Sequence, residues 1–244
     1  EHYSPTEMIS ILSDYYNVMT EQIFLHRGTL KEYVGDEIMA FFGAPLSNLD
    51  HAQGACRAAL AMRDQRRAIG AEWAKMGRPV LRARTGINSG PMLVGNLGSK
   101  YRFAYGVLGD HVNLGSRLEG LNKMYGSEIL IGENTARLVK DKFLLRKIDV
   151  VRVKGRTQCV DVFELVAENV NSILKEQEQA LKEYVAGYEA YCDQHWEEAI
   201  DLFESALVFW PDDGPSKTMA ERCRVYSETP PPDDWDCVFE PKTK

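Results

Sequence analysis

Two stretches of this chain repeat one device, an apolar strand that runs into a Gly-Asp corner, and that device limits the possible folds more than any other feature. The first is Leu30-Lys31-Glu32-Tyr33-Val34-Gly35-Asp36-Glu37-Ile38-Met39-Ala40. The second is Phe103-Ala104-Tyr105-Gly106-Val107-Leu108-Gly109-Asp110, which runs on through His111 and Val112 to Asn113 and Arg117. Apolar side chains mark each as a strand, and the glycine lets the chain turn so that polar groups fall together at the strand end. We read the two stretches as halves of one site at the edge of a sheet.

The remaining elements follow from periodicity and caps. Ser4-Pro5-Thr6-Glu7 is a capping box with proline at the first helical position, and the helical spacing of Met8, Ile9, Ile11, Leu12, Tyr15, Val18, Met19 and Ile23 carries that helix to about residue 28. Residues 29–43 read as a tight hairpin. Asp50 is expected to cap a helix over 51–76, with Cys56, Ala59, Leu60, Met62 and Ile69 inward and Arg57, Arg63, Arg66 and Arg67 largely outward. Residues 80–87 and 92–97 read as strands, 110–125 as a helix, 128–131 as a strand, 133–141 as a helix, and 143–153 and 160–166 as strands. Helices and strands alternate, with hairpins between some strands, which predicts an α/β sandwich of the ferredoxin-like split βαβ type.

Composition shifts near residue 168 to a purely helical pattern over 173–193, 196–209 and 216–226. Gly187, Ala199, Phe203, Ala206 and Pro211 fall at the spacing of a single tetratricopeptide repeat, so 168–229 is expected to be a small all-α helical hairpin docked on a main domain of 1–167. Pro230-Pro231-Pro232 predicts an extended tail over 230–244. No run approaches 18 apolar residues, and a formal charge of −7 argues against non-specific nucleic-acid binding. Five widely spaced cysteines with no C-x-x-C pair argue against a disulfide framework or zinc site and suit a reducing, cytoplasmic setting.

Within this frame a few polar residues carry chemistry. Asn113 and Arg117 lie four apart on the first turns of one helix and project from one face. An arginine there either pairs with a surface carboxylate such as Glu119 or offers the planar fork that a phosphoryl transition state needs. Arg84 is expected on an interior strand, where solvation gives no reason for an arginine. Lys154-Gly155-Arg156 is a basic turn able to hold a terminal phosphate, although a solvated turn also explains it.

Four motifs taken together resemble the catalytic domain of class III nucleotidyl cyclases, the bacterial adenylyl and guanylyl cyclases. They are residues 33–45 (Tyr33-Val34-Gly35-Asp36 through Pro45), Arg84-Thr85-Gly86-Ile87-Asn88-Ser89-Gly90, Leu108-Gly109-Asp110 through Glu119, and Val153-Lys154-Gly155. The resemblance covers residues 1 to about 166. It implies a head-to-tail homodimer with interfacial sites built from both chains. It also implies two divalent metal ions, Mg2+ or Mn2+, held by two aspartates. Asp36 matches one of them, and the other is expected on a strand before Glu1, outside this sequence. Arg84 matches a phosphate ligand, Asn113 a ribose-orienting group, Arg117 a transition-state stabiliser and Lys154 a terminal-phosphate ligand. The helical extension is similar to that of bacterial members tethered to a membrane through an upstream sensor region.

Two positions of this family read the purine, four residues before each Gly-Asp aspartate, and here they are Glu32 and Gly106. Adenylyl cyclases typically carry lysine at the first. Lys31 is adjacent but one residue off, and on a regular strand that slip sends a side chain to the other face. A carboxylate accepts from guanine N1-H and N2, whereas it would oppose the N1 acceptor of adenine. The expected reaction is therefore conversion of GTP to 3',5'-cyclic GMP, with ATP as the alternative substrate and a silent nucleotide-binding module as a further alternative. Gly106 offers no side chain to guanine O6, leaving it to a backbone amide or water.

Overall fold

The computed structural model describes residues 3–152, 159–232 and 234–240. In chain order the elements are α1 (Pro5–Leu25), β1 (Gly28–Val34), β2 (Glu37–Phe42), α2 (His51–Lys75), β3 (Thr85–Ile87), β4 (Leu93–Ser99), β5 (Arg102–Leu108), α3 (Asp110–Tyr125), β6 (Ile129–Gly132), α4 (Glu133–Val139), β7 (Leu144–Val151), β8 (Val160–Ala167), α5 (Lys175–Cys192), α6 (Trp196–Phe209), α7 (Gly214–Glu228) and β9 (Val238–Phe239). They group into two compact units, one of residues 1–83 with 89–113 and one of 84–88 with 114–244.

In the first unit the capping box forms as its residues require. The Glu7 N–H donates to Ser4 Oγ at 3.3 Å and the Ser4 N–H to Glu7 Oε2 at 2.8 Å. The Ser4 hydroxyl and amide together hold the Glu7 carboxyl below its ordinary range. Ile11, Tyr15 and Met19 are buried with Trp73 of α2, and Ile38 of β2 packs against them. β1 and β2 form an antiparallel hairpin joined by Gly35-Asp36, with Gly35 at φ +63°, a conformation that favours glycine. β4 and β5 form a second antiparallel hairpin in which Gly95 faces Gly106.

Three local expectations fail here. Asp50 makes no side-chain cap to α2 and instead accepts from Gln53 Nε2 at 2.9 Å. Arg66 is buried rather than outward, and its Nη1 donates to the Leu81 carbonyl at 3.1 Å. That bond helps explain why only Thr85–Ile87 of the expected 80–87 strand is a strand. Residues 81–83 lie along α1 and α2, with Leu81 and Ala83 against the Trp73 cluster instead of in a ladder.

The second unit is a five-stranded mixed sheet of order β3-β6-β8-β7-β9, covered by helices. β3 and β6 are parallel, whereas β6 with β8 and β7 with β8 are antiparallel. Ile129, Leu130 and Ile131 of β6 are all buried, the continuous apolar run of a strand covered on both faces. Leu114, Leu118, Leu121 and Tyr125 of α3 share one core with Ile148, Val151, Val160 and Val162 of the sheet and with Tyr184, Tyr188, Phe203 and Met219 of α5, α6 and α7. The helical segment beyond residue 168 is thus continuous with the core of the sheet. Gly187 lies where Phe203 presses, since a Cβ there would come within 3.0 Å of that ring.

The end of the chain also departs from expectation. After Pro232 it turns back, Trp235 meets Tyr191 and Tyr226 edge-on, and β9 pairs in parallel with β7 through Val150 and Val238. This return brings Cys237 to Cys192, and the two form a disulfide with Cα atoms 5.2 Å apart. A spacing of 45 residues carries no local signal for such a bridge. Cys56 and Cys223 remain buried thiols, and burial pushes both up to about 12. Among the described residues no helix is long and apolar enough to cross a membrane.

Candidate active site

In the first unit the hairpins set out the residues assigned to base and metal. β1 pairs with β2 as Leu30 with Ala40 and then Glu32 with Met39, so the register slips and Lys31 is the extra residue of a β-bulge. Neighbours on a regular strand point to opposite faces. The bulge overturns that expectation, because Lys31 Nζ reaches the Glu32 carboxylate and forms an ion pair with it. The Lys31 side chain is 20% exposed and that of Glu32 48%. Gly106 on β5 is buried, and a Cβ built there would lie 3.1 Å from Lys31 Cε and 3.4 Å from Leu97 Cδ1. The lysine stem therefore crosses the gap left by the missing side chain.

Asp36 stands exposed at the corner of the first hairpin. Tyr16, stacked on Tyr33 at 4.3 Å, donates its hydroxyl to the Gly35 carbonyl and so braces this corner from α1. Desolvation and then the nearby Asp36 carboxylate push the Tyr16 hydroxyl upward. Asn113 is exposed on the first turn of α3.

In the second unit β3 and α3 touch backbone to backbone. A Cβ on Gly86 would lie 2.2 Å from the Gly115 carbonyl and 2.3 Å from the Glu119 nitrogen, so only glycine admits this approach. Asn122 Nδ2 then donates to the Thr85 carbonyl at 3.0 Å and to the Leu118 carbonyl at 3.1 Å, fixing helix to strand. On this seat Arg84 Nε donates to Glu119 Oε1 at 2.8 Å. Arg84 precedes an edge strand and its side chain is 43% exposed, which corrects the expectation of an interior strand. Glu119 thus pairs with Arg84 and not with Arg117. Arg117 Nη1 is buried and has no hydrogen-bond partner among the described residues. A buried guanidinium donor left unmade costs on the order of 1–3 kcal/mol, so this position fits an incoming anion.

Lys154 lies outside the described residues. Among the described residues no three His, Cys, Asp or Glu side chains converge to hold a metal ion. Asp36 supplies one exposed carboxylate, so the residues present do not by themselves fit a two-ion centre. The bulge at Lys31 escaped the sequence reading, since nothing in Leu30-Lys31-Glu32 marks a register slip. Glu119 was seen only as a partner for Arg117, because α3's spacing says nothing about a strand that reaches it from residue 84.

The first unit carries the two Gly-Asp corners and the second an arginine-bearing helix seated on a glycine strand, features of the nucleotidyl cyclase class of domain. The chain belongs to the family described as the adenylate and guanylate cyclase catalytic domain, which matches residues 1–167. It is 37% identical over 166 residues to adenylate cyclase 1 of Rhizobium meliloti, covering 68% of this chain and 25% of that protein. It is 35% identical over 173 residues to an adenylate cyclase of Anabaena cylindrica, covering 68% of this chain and 34% of that protein. The chain therefore spans only about a quarter to a third of the length of these relatives. Among solved structures it is similar to the adenylyl cyclase CyaB of P. aeruginosa, with 32% identity and a TM-score of 0.63 over 69% of this chain and 87% of that one. It is equally similar to the guanylyl cyclase Cya2, with 31% identity and a TM-score of 0.64 over 71% and 87%.

Proposed function

We propose that this chain is a guanylate cyclase domain that converts GTP to 3',5'-cyclic GMP and pyrophosphate as a homodimer. The observation that carries the reading is Glu32, a half-exposed carboxylate on the bulged end of β1, at the position where the family reads the purine. Guanine presents N1-H and N2-H donors to it, and adenine presents an acceptor.

In the reaction the ribose 3'-oxygen bonds to the α-phosphorus as its proton passes to solvent water, and the bond from that phosphorus to the bridging oxygen breaks to release pyrophosphate. Asn113 orients the ribose, and Arg117, whose Nη1 has no hydrogen-bond partner among the described residues, takes the charge that develops on the α-phosphoryl oxygens. Arg84 exchanges Glu119 for a phosphate oxygen, and Lys154 holds the terminal phosphates. Members of the family use divalent metal ions, and Asp36 is one carboxylate that would help hold them, a second being expected before Glu1.

One observation favours a second reading, in which ATP is the substrate or is shared: the relatives at 37% and 35% identity are named adenylate cyclases. A turnover assay on the protein extended upstream through the strand expected to carry the second metal aspartate, offering GTP, ATP, CTP and UTP separately with magnesium and then manganese, tests both. Cyclic GMP as the dominant product is expected. Dominant cyclic AMP overturns the assignment of Glu32, and absence of product from every nucleotide overturns catalysis by this chain in favour of a nucleotide-binding module.

A further inference from the structure

We infer that Lys31, the bulged residue of β1, is a specificity residue of the base pocket and donates to O6 of guanine in place of the side chain that Gly106 lacks. The inference rests on the reading that Glu32 and Gly106 flank the base, and it names the second half of the recognition.

The geometry has three parts, all within the first unit. The slip between Leu30 and Glu32 leaves Lys31 without a ladder partner on β2, so its side chain is freed from the alternation of the strand. Its stem lies over Gly106, with Cε 3.1 Å and Cδ 3.8 Å from where a Cβ of residue 106 would stand. The ammonium one bond further on is paired with the Glu32 carboxylate. A side chain at 106 would press on the lysine stem, and without one the stem lies against that place.

Chemistry then decides which purine the pair suits. On the reading that Glu32 and Gly106 flank the base, residue 106 stands on the side of the C6 substituent and Glu32 on the side of N1. A lysine ammonium has three donors and no acceptor. It complements a C6 carbonyl oxygen and opposes the C6 amino group of adenine, which needs an acceptor. Glu32 takes N1-H and the N2 amino group, so donor and acceptor stand in guanine order along one edge. The ion pair also holds each group in place before the base arrives, which lowers the ordering cost of binding. A solvated surface ion pair would not explain a lysine stem laid across a glycine with four fifths of its side chain covered.

The test is nucleotide binding to the whole chain, read by displacement of a fluorescent N-methylanthraniloyl nucleotide, which requires no turnover. The competitors are GTP, ATP and 6-thio-GTP, in which a weak sulfur acceptor replaces O6 while N1-H and N2 are kept. The wild-type protein is expected to hold GTP about tenfold or more tightly than 6-thio-GTP, the worth of one charge-assisted hydrogen bond. Lys31→Met keeps a stem over Gly106 and removes the donor, so it should weaken GTP by a similar factor and make GTP and 6-thio-GTP equal. Lys31→Arg should retain the preference, and Gly106→Ser in the Lys31→Met background should restore part of it.

Each ratio compares two ligands on one protein, so partial misfolding does not mimic the result. A GTP to 6-thio-GTP ratio unchanged by Lys31→Met overturns the role of Lys31 while leaving Glu32 untouched. Tighter binding of ATP than GTP to the wild-type protein overturns the guanine reading itself.

Discussion

Arg146 of β7 grips Asp213, the N-cap of α7, with both ends of its guanidinium, Nη1 to Oδ2 and Nη2 to Oδ1 at 2.7 Å each. Asp213 in turn accepts from the Ser216 N–H at 3.1 Å, so one carboxylate caps a helix and neutralises a buried cation. Arg146 also donates through Nε to Glu164 at 3.0 Å and stacks over Tyr184 at 4.4 Å. Burial alone would pull its proton off more easily, yet the surrounding carboxylates hold its pKa above the ordinary arginine value. A cut after Ala167 removes Asp213 and uncovers Ile148, Val151, Val160 and Val162. The 1–167 fragment is therefore expected to be insoluble or to lack a cooperative thermal transition. In the whole chain Arg146→Ala should cost about 3–5 kcal/mol in urea unfolding, because it strands a buried carboxylate. A soluble, cooperatively melting fragment would show that the clamp is dispensable.

A second buried pair sets a pH dependence. Asp149 of β7 is fully buried and paired with Arg222 of α7, and Tyr125 donates to it at 2.6 Å. Desolvation raises the Asp149 carboxyl above its ordinary value, and Arg222 pulls it back down. Arg222→Met removes the largest lowering influence, so the folded pKa climbs further above the unfolded one. A raised carboxyl stabilises the fold in its protonated form, so this contribution is complete below the unfolded pKa and is lost as pH rises through the folded pKa. The variant is expected to be most stable in mild acid and to lose melting temperature towards neutrality faster than the wild type. Parallel melting curves across that range would contradict the assignment.

The fold was legible wherever pattern and cap agreed. Ser4 with Glu7, the Gly35-Asp36 corner and the period of Ile11, Tyr15 and Met19 are local signals, and the elements they announce stand where they announce them. What escaped the sequence was set by partners distant in the chain. Arg66 reads as one more outward arginine of α2, and its bond to the carbonyl of Leu81, distant in the sequence, helps make its burial sensible. The bridge from Cys192 to Cys237 depends on Trp235 folding back into an aromatic cluster, and the triple proline ahead of it suggests the opposite. For the site, the Gly-Asp corners and the order of the motifs sufficed to name the family. The bulge at Lys31 did not show, because register is a property of two strands and the sequence displays one at a time.

Arg84 and Glu119 make a testable competition. Their pair is partly exposed on both sides, and such pairs contribute about 0–1 kcal/mol, so a phosphate can displace the carboxylate cheaply. Glu119→Gln frees the guanidinium, and binding of nucleoside triphosphate is expected to tighten a few-fold with melting temperature nearly unchanged. Arg84→Ala should weaken binding instead. If Glu119→Gln also weakens it, Glu119 positions Arg84 for the substrate and does not compete with it.

Arg117 gives the sharpest separation of function from stability. Its Nη1 is buried on a helix held fast by Gly86 and Asn122 and has no hydrogen-bond partner among the described residues, so this donor goes unmet there. Removing that donor relieves the fold of a desolvation cost, and Arg117→Ala is expected to melt at the same temperature as the wild type or slightly higher. If the donor serves the charge that builds on the α-phosphoryl oxygens, the same variant should lose about 10²–10³-fold in kcat with KM little changed. Arg117→Lys should recover only part of the loss, because an ammonium lacks the planar fork. Thermal unfolding and steady-state kinetics on the same preparation read both effects. Opposite movement of stability and kcat supports a group held in strain for the transition state, whereas a drop in melting temperature would make Arg117 a structural partner of its own fold.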